Sequence, residues 1–141
     1  MTIGAILAGK GGDIVSVSTD TRVHEAIAVL AEKRIGALPV VADGRVVGIF
    51  SERDVIYSVA REGAAALDAR IGDVMTAPAL TVEPASPVMA GLSLMTRRRI
   101  RHLPVVEDDR LVGFVSIGDL VKFRIERIEA EAAAMRDYIA S

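Results

Sequence analysis

The feature that most limits what this chain can fold into is an internal duplication. When the sequence is shifted by 65 residues, Val15–Ala60 aligns with Leu80–Ile125 without a gap, and 14 of the 46 aligned pairs are identical. Twelve of those identities fall between residues 34 and 54. A unit of this size can bury only a small core on its own. We therefore expect two copies of one fold, packed together around a pseudo-twofold axis.

Each copy has the same predicted order of elements: strand, helix, strand, strand and helix. The first strand is a short β-branched run, at Ile14–Val17 in the first copy and at Leu80–Val82 in the second. A helix with apolar residues at 3.6-residue spacing follows, and then two strands joined by a tight turn, for which Asp43-Gly44 is a strong signal. The predicted fold class is therefore α/β in the broad sense (α+β), built from two β-α-β-β-α repeats.

The chain divides into two repeats, a linker and a tail. The predicted bounds are 1–62 for repeat 1, 63–79 for the linker, 80–125 for repeat 2 and 126–141 for an extended C-terminal helix. Apolar residues recur along that helix at spacings of three and four: Ile125, Ile128, Ala132, Met135 and Ile139. Such a short seam cannot hold a free coiled coil together. We expect it to pack on its own domain or on a dimer mate.

The composition removes several classes of function. Cysteine is absent, which excludes disulfides, zinc–thiolate sites and a cysteine nucleophile. Two histidines leave little material for a metal cluster, and no acid/base or nucleophile motif is present, so we expect no catalytic residues and no enzyme. The net charge of −2 gives no general attraction to nucleic acid or anionic lipid. With no basic leader and no long apolar run, a cytoplasmic, soluble protein without a membrane span is expected.

One stretch near the start imitates a phosphate-binding loop. Gly4–Lys10 reads Gly-x-x-x-x-Gly-Lys, but Gly11 follows where Ser or Thr must hold magnesium, and no strand can precede Gly4. We reject that function for the stretch. Lys10–Asp13 is instead predicted to be a loop that leads into the first strand.

Each copy carries a Gly-x-x-Ser-x-x-Asp segment where a strand passes into a helix. The free N–H groups of a helix N-terminus suit an anion, and the carboxylate of Asp54 or Asp119 can accept the two hydroxyl hydrogen bonds that a ribose diol offers. The other interpretation is structural, because Ser51–Asp54 and Ser116–Asp119 also have the form of capping boxes with Asp in place of Glu. Since the segment occurs twice in register, we expect both roles, with serine capping the helix and aspartate facing a cleft.

Pro39 and Pro104 interrupt strand-like runs at equivalent places in the two copies. Proline cannot donate to a β-ladder, so this backbone is predicted to lie at an edge or a bulge. Protection of a sheet edge would by itself explain both prolines. Beside the small residues Gly36 and Ala37, such an edge could also hold a flat ring against the backbone.

The second copy contains one basic cluster, made of Arg97, Arg98, Arg99, Arg101 and His102. For Arg97 and Arg98 a solvated helix end is the leading interpretation, since cations suit helix C-termini. For Arg101 and His102 we favour a phosphate site, and because the first copy has two small residues there, the two sites should not hold phosphate alike. A nucleic-acid surface is least favoured, because no aromatic stacking platform accompanies the arginines.

The duplicated pattern resembles a tandem pair of CBS domains, often called a Bateman module. The resemblance covers about residues 1–125, and both copies carry Leu-Pro-Val-Val, a turn, Gly-x-x-Ser-x-x-Asp and a trailing helix in that order. It is similar to the stand-alone bacterial type, with no enzyme or channel attached. The resemblance implies a non-enzymatic sensor that binds adenosine-containing ligands in two clefts, each built from both repeats.

The resemblance also assigns residues to each cleft. The first, here called the Asp119 cleft, would use Ser116 and Asp119 for phosphate and ribose. Its base would lie against the segment from Asp13 to Val15 and against Ile35, Gly36 and Ala37. The second, the Asp54 cleft, would use Ser51 and Asp54, with these residues around the base: Thr76, Ala79, Ile100 and Arg101.

Three further positions follow from the same resemblance. Arg101 and His102 match places where the family often has phosphate-contacting basic residues, and Arg53 could reach a phosphate from the other side. Gly118 stands where a side chain would precede Asp119, which leaves room for a bulkier ligand such as a dinucleotide.

The implied ligands are AMP, ADP, ATP, NAD or NADH, with S-adenosylmethionine as another candidate. A bound ligand would bias the relative position of the repeats, and an unidentified protein partner would read the result. The resemblance also implies a homodimer. In this interpretation Asp54 and Asp119 stand unpaired without ligand, so that removing them changes the stability of the ligand-free protein little.

Two other functions remain open. The chain could be a structural homodimerisation module with vestigial clefts, in which case the shared motifs are only helix caps and sheet edges. Nucleic-acid binding through Arg97–Arg101 is the less favoured alternative, and it would depend steeply on salt.

Overall fold

The computed structural model describes residues 1–11 and 13–141. The elements in chain order are α1 (Ile3–Lys10), α2 (Val23–Lys33), β1 (Ala37–Ala42), β2 (Arg45–Ser51), α3 (Glu52–Glu62), a 3₁₀ turn (Gly63–Asp68), α4 (Ile71–Val74), α5 (Val88–Arg98), β3 (His102–Glu107), β4 (Arg110–Ser116) and α6 (Ile117–Ala140). The helix, hairpin and helix of α2–α3 recur as α5–α6, which confirms the predicted duplication of the fold.

The two hairpins form one four-stranded antiparallel sheet in the order β1-β2-β4-β3. Asp43 and Gly44 join β1 to β2 with positive φ at both residues, as the predicted two-residue turn requires. The inner strands β2 and β4 pair only where Arg45 lies opposite Arg110. Beyond that point the hairpins diverge, so most of the inner edge of each hairpin is open to other segments.

The predicted first strands are shortened to single parallel bridges, Val17 with Val40 and Val82 with Val105. The prolines explain why. Val17 N donates to Pro39 O at 3.1 Å and Val41 N donates to Val17 O at 2.8 Å, but the next bond of a parallel ladder would need an N–H on Pro39. Pro104 stops the second ladder in the same way. Both prolines therefore lie on edge strands, at the outer sides of the sheet, as predicted.

Each repeat has its own apolar core, and each core receives a segment from elsewhere in the chain. The core of the second repeat includes Ile3 and Ile6 of α1, together with Leu103 and Leu120. The core of the first repeat includes Ile71 of α4, from the segment between the repeats. The two repeats are thus tied together by crossing segments as well as by the shared sheet.

Of the loop predicted at Lys10–Asp13, Lys10 instead ends helix α1 (Ile3–Lys10), and Gly12 lies outside the described residues. The stretch that imitates a phosphate loop therefore has an apolar face, with Ile3 and Ile6 buried and Leu7 packed against them. Gly11, with φ of 95°, ends the helix in a conformation that suits glycine. Helix α1 was not among the elements predicted from the sequence.

The C-terminal tail extends α6 to 24 residues. Phe123 packs against the second core, but farther along Ile125, Ile128, Met135 and Ile139 are 48–74% exposed. The apolar seam therefore does not pack on its own domain, which was one of the two expected arrangements. Packing on a dimer mate stays a prediction.

Candidate ligand-binding clefts

Both Gly-x-x-Ser-x-x-Asp segments cap helices. The backbone N–H of Ser51 donates to Asp54 Oδ2 at 2.8 Å, and that of Ser116 donates to Asp119 Oδ2 at 2.8 Å. In the second repeat Asp119 N also donates to Ser116 Oγ at 3.1 Å, whereas in the first repeat Ser51 Oγ donates to the Asp54 carboxylate at 3.1 Å. The predicted capping role is confirmed, with a small difference between the copies.

Asp54 is almost enclosed, with 8% of its surface exposed. Besides the bonds from Ser51 to Oδ2, its Oδ1 accepts the hydroxyl of Thr76 at 2.8 Å. Thr76 is held in place because it forms an antiparallel bridge with Ile49, with two backbone bonds of 2.9 Å on the diverging edge of β2. Both carboxylate oxygens of Asp54 are therefore engaged, and the expectation that it stands unpaired is wrong.

Asp119 is paired as well, but by a charged group. Lys10 Nζ donates to Asp119 Oδ2 at 2.7 Å and to the backbone carbonyl of Phe114 at 2.7 Å. Here too the expectation of an unpaired carboxylate is wrong. Asp119 Oδ1 accepts no hydrogen bond from any residue that the structure describes, and the side chain is 27% exposed. One carboxylate oxygen thus remains as an acceptor at this cleft.

The surroundings of Asp119 favour its charged form. Partial burial alone would raise the pKa of Asp119, but the hydrogen bond and charge of Lys10 and the bonds from Ser116 outweigh it. Its pKa therefore lies below the usual value, so the carboxylate is ionised over the physiological range.

His102 lies beside the same carboxylate. Its ring stacks on Phe114 with centroids 5.6 Å apart and planes inclined by 12°. Burial lowers the pKa of His102, the charge of Lys10 lowers it further, and the negative charges of Asp119 and Glu52 oppose the shift. His102 is consequently neutral near pH 7, when it can accept or donate a hydrogen bond.

Residues of the two repeats meet at Gly36. A Cβ atom at Gly36 would lie 3.3 Å from Glu52 Oε1 and 3.4 Å from Cε1 of His102. Gly36 and Glu52 belong to the first repeat and His102 to the second. The structure therefore brings residues of both repeats together at Gly36.

A cavity of about 370 Å³ opens beside Lys10. Its walls bring together three predicted residues, Asp13, Val15 and Ile35, and add Leu7, Lys10, Gly11, Ile14 and the Val112–Phe114 stretch of β4 among others. The volume falls within the range of small-molecule pockets. Lys10 joins this space to Asp119, which it contacts directly.

Other residues predicted for the clefts lie farther from this cavity or are enclosed. Ala37 is 1% exposed at the start of β1, and the carbonyls of the buried residues Pro39 and Pro104 accept the bridge bonds described above. Gly118 is exposed, and a Cβ there would approach only Ser116 Oγ, at 3.5 Å. A larger group could therefore be accommodated beside Gly118.

The residues assigned to the base of the Asp54 cleft differ in exposure and in their contact with Asp54. Ala79 and Ile100 are half-buried, while Arg101 is exposed. Arg53 donates to the carbonyl of Arg99 at 3.3 Å, so its guanidinium spans from the first repeat to the end of α5. Thr76 is the residue of this set that reaches the aspartate.

Lys10 is the site residue that sequence reasoning missed. The 65-residue shift, if it is continued beyond the aligned block, places Lys10 on Met75 and Gly11 on Thr76. Met75 and Thr76 close over Gly48 of β2, where a Cβ would lie 2.7 Å from Met75 Sδ. Leu7 of α1 covers Gly113 of β4 in the same manner. The extended register could have indicated the segment around Lys10, although Leu7, and not Lys10, covers the glycine that corresponds to Gly48.

The described residues 1–11 and 13–141 contain neither a metal-ligand cluster nor a membrane-spanning helix. Among them no group of three or more His, Cys, Asp or Glu side chains is placed to hold a metal ion. None of the helices in that part of the chain combines the length and the apolar character needed to cross a membrane.

Comparison with known proteins places this geometry in context. The family model of the CBS domain matches residues 11–61 and 71–126. CBS domain-containing protein CBSX3, mitochondrial, of Arabidopsis thaliana is 33% identical over 98% of this chain and 71% of its own length. The crystal structure of the CBS-domain containing protein ATU1752 from Agrobacterium tumefaciens is 41% identical, with a TM-score of 0.83 over 88% of this chain and 99% of that one.

A third similar protein was crystallised with ligands. The CBS domain pair of protein MJ0100, in complex with 5′-methylthioadenosine and S-adenosyl-L-methionine, is 25% identical. Its TM-score is 0.79, over 90% of this chain and 98% of that chain.

Proposed function

We propose, from the premise that this chain belongs to the CBS-domain family, that it is a non-enzymatic regulatory module for adenosine-containing nucleotides. The ligand is one of AMP, ADP, ATP, NAD, NADH or S-adenosylmethionine. It binds between the two repeats, first of all in the Asp119 cleft.

One observation carries this proposal. Asp119 is ionised, fixed at the start of α6, and keeps Oδ1 without a hydrogen bond from the described residues, and its partner Lys10 lines a cavity of about 370 Å³. A ribose hydroxyl is a donor of the kind that such an oxygen accepts. The apolar walls at Val15 and Ile35 can cover the face of a base, as small-molecule sites commonly do.

The similar proteins support the same ligand class and a role without catalysis. The MJ0100 domain pair carries two adenosine compounds, 5′-methylthioadenosine and S-adenosyl-L-methionine, in its crystal structure. ATU1752 is matched over 99% of its crystallised chain, so the fold shared with this protein accounts for nearly all of that chain. A protein of this kind acts through what it binds.

The position of the cleft suggests how binding is transmitted. Val15 and Ile35 belong to the first repeat, whereas Phe114 and Asp119 belong to the second, so one ligand would contact both. Its effect on the relative position of the repeats is limited by its differential affinity for the two arrangements. A protein partner then senses the arrangement, and the exposed seam of α6 is where a second copy of the chain would pair.

A structural homodimerisation module is the second candidate, and two observations favour it. Both oxygens of Asp54 are occupied by Ser51 and Thr76, so that cleft resembles a closed structural contact. The apolar seam of α6 is exposed, with Ile139 74% accessible. In this alternative the chain dimerises but binds no nucleotide.

Thermal unfolding with a ligand panel separates the two candidates. Protein freed of copurified nucleotide is heated alone and with each of the six ligands, with guanosine nucleotides as controls. Ligand at about 100 times Kd stabilises the native state by about 2.7 kcal/mol, which raises Tm by several degrees. A rise with an adenosine ligand and none with guanosine supports the sensor. No rise with any ligand, together with a dimer in light scattering, supports the structural module.

A further inference from the structure

We propose that Lys10 determines the charge class of ligand in the Asp119 cleft, so that phosphorylated adenosine is preferred to uncharged or cationic adenosine. This inference rests on the proposed function and goes beyond it, since it separates AMP-like ligands from adenosine and S-adenosylmethionine. It names a residue at the end of α1 that lies outside the repeated motif.

The hydrogen bonds of Lys10 leave it one donor for a ligand. An ammonium group carries three N–H donors. One is directed to Phe114 O at 2.7 Å and another to Asp119 Oδ2 at 2.7 Å. The third has no acceptor among the described residues, and the Lys10 side chain is 41% exposed on the wall of the cavity. The two existing bonds fix the position from which that donor can reach an anion.

The same arrangement lets Lys10 and the ribose share Asp119. Lys10 uses Oδ2, whereas Oδ1 has no donor from the described residues. A ribose hydroxyl can therefore bond to Oδ1 without displacing the ammonium. If the phosphate attached to that ribose comes within reach of the third donor of Lys10, the bond between them is charge-assisted and stronger than a neutral one.

Among the charged groups near Asp119, Lys10 is the cation best placed to balance the charge of a phosphate. His102 adjoins the site, but burial and Lys10 itself lower its pKa, so that it is neutral near pH 7. Arg101, whose charge also acts on His102, is exposed like Lys10, but its guanidinium has no hydrogen bond to the described residues that would hold it beside Asp119. Asp13 is a carboxylate on the cavity wall, within the segment predicted to hold the base, and it faces solvent. A phosphate near Asp119 therefore depends on Lys10 for compensation.

The other repeat provides an internal contrast. The 65-residue shift aligns Lys10 with Met75. The sulfur of Met75 packs over Gly48, so the first hairpin has an uncharged side chain at this position. Lys10→Met thus introduces the residue that the other repeat has at the same position of the 65-residue shift, although Thr76 is the residue that contacts Asp54 there. If Lys10 sets the charge preference, this exchange removes it.

Calorimetric titration of the full-length chain with AMP, adenosine and S-adenosylmethionine tests the inference. The variants are Lys10→Met, Lys10→Arg, which keeps the charge, and Lys122→Met, which removes an exposed lysine of α6 as the matched control. Asp119→Ala identifies which binding event belongs to this cleft. We expect Lys10→Met to weaken AMP about tenfold or more, the scale of a lost charged hydrogen bond, and to change adenosine much less. Lys10→Arg and Lys122→Met retain the preference for AMP.

The outcomes separate this inference from the proposed function. If the wild-type chain binds no adenosine compound, both are overturned. If it binds them, but Lys10→Met weakens AMP and adenosine by the same factor, Lys10 only positions Asp119 and the inference is wrong. An unchanged AMP affinity in Lys10→Met, or wild-type binding of S-adenosylmethionine tighter than that of AMP, also overturns it.

Discussion

Asp54 and Asp119 occupy the same place in two copies of one motif, yet their neighbours treat them differently. Asp54 is enclosed and receives only neutral donors, from Ser51 and Thr76. Asp119 is more exposed and shares one oxygen between the backbone of Ser116 and the ammonium of Lys10. The capping geometry comes from the repeated motif. The additional donor to each aspartate, here called the closing group, is Lys10 for Asp119 and Thr76 for Asp54, and both lie in segments outside the aligned block.

The two copies therefore agree within the motif and differ in the segments that contact it. The motif must keep serine and aspartate to start each helix. The preceding segments lie outside the motif: one ends helix α1 at Lys10, and the other continues from helix α4 into an extended bridge at Thr76. A ligand site that is open at one copy and closed at the other can therefore arise without changing the motif.

The largest expected effect is on stability, and it comes from the packing of Met75 and Thr76 over Gly48 of β2 compared with that of Leu7 over Gly113 of β4. A Cβ at Gly48 would lie 2.8 Å from the backbone oxygen of Thr76, whereas a Cβ at Gly113 would meet only the end of the Leu7 side chain, at 2.5 Å. Side chains can rotate away more easily than paired backbone. We expect Gly48→Ala to reduce the free energy of unfolding by about 3 kcal/mol and Gly113→Ala by about 1 kcal/mol. Urea unfolding of both variants measures this, and equal losses would contradict the difference in closure.

The next effect is on ligand binding. Asp119→Ala should weaken the tightest-binding adenosine nucleotide by about 1.5–3 kcal/mol, or roughly ten- to a hundredfold, because it removes a charged acceptor. Asp54→Ala should leave that affinity nearly unchanged, since the Asp54 carboxylate is already satisfied within the protein. Each variant loses the same helix cap, so the pair is matched. Calorimetric titration of the two folded variants decides, and a greater loss in Asp54→Ala would assign the ligand to the other cleft.

The duplication explains why so much of the fold could be predicted. Periodicity, the Asp43-Gly44 turn and the repeated prolines are local signals, and they indicated the hairpins, the edge strands and the second helix of each repeat. The crossing of α1 into the second core depends on contacts more than 80 residues apart, such as Ile3 N to Ser86 O at 2.9 Å. No local pattern encodes such a pairing.

The candidate site was predictable to a similar extent. The motif identified both aspartates and the serine caps, and the family resemblance brought Asp13, Val15 and Ile35 to one cleft. The hydrogen bonds that Asp54 and Asp119 accept in the absence of ligand were not predictable, because their donors, Thr76 and Lys10, come from segments outside the aligned block. A lysine at a helix end is usually solvated, so its type alone gave no signal.

A smaller effect should distinguish the two closing groups. Thr76→Val keeps the shape of the side chain but removes the hydroxyl from Asp54 Oδ1, which leaves a buried acceptor unsatisfied and should cost about 1–2 kcal/mol. Lys10→Met removes a partly exposed ion pair, for which about 0–1 kcal/mol is typical. Urea unfolding in the absence of ligand compares them. If Lys10→Met destabilises the protein as much as Thr76→Val, Lys10 is a structural contact like Thr76.

The smallest effect is a pH dependence that only the Asp119 cleft should show. Burial and then the charge of Lys10 hold the pKa of His102 below its ordinary value of 6.5. The unfolded chain therefore takes up this proton at a higher pH than the folded chain. Stability from this group is complete above 6.5, falls as the pH drops through that value, and levels off below the folded pKa. Asp119 acts separately, because its lowered pKa places its loss of stability below 3.8. The charge of Lys10 is one of the causes that lower the pKa of His102. Lys10→Met removes that charge, so the pKa of His102 should rise in an NMR titration. A His102 pKa that stays fixed in this variant would show that Lys10 does not act on the imidazole, and would remove the link between α1 and the cleft.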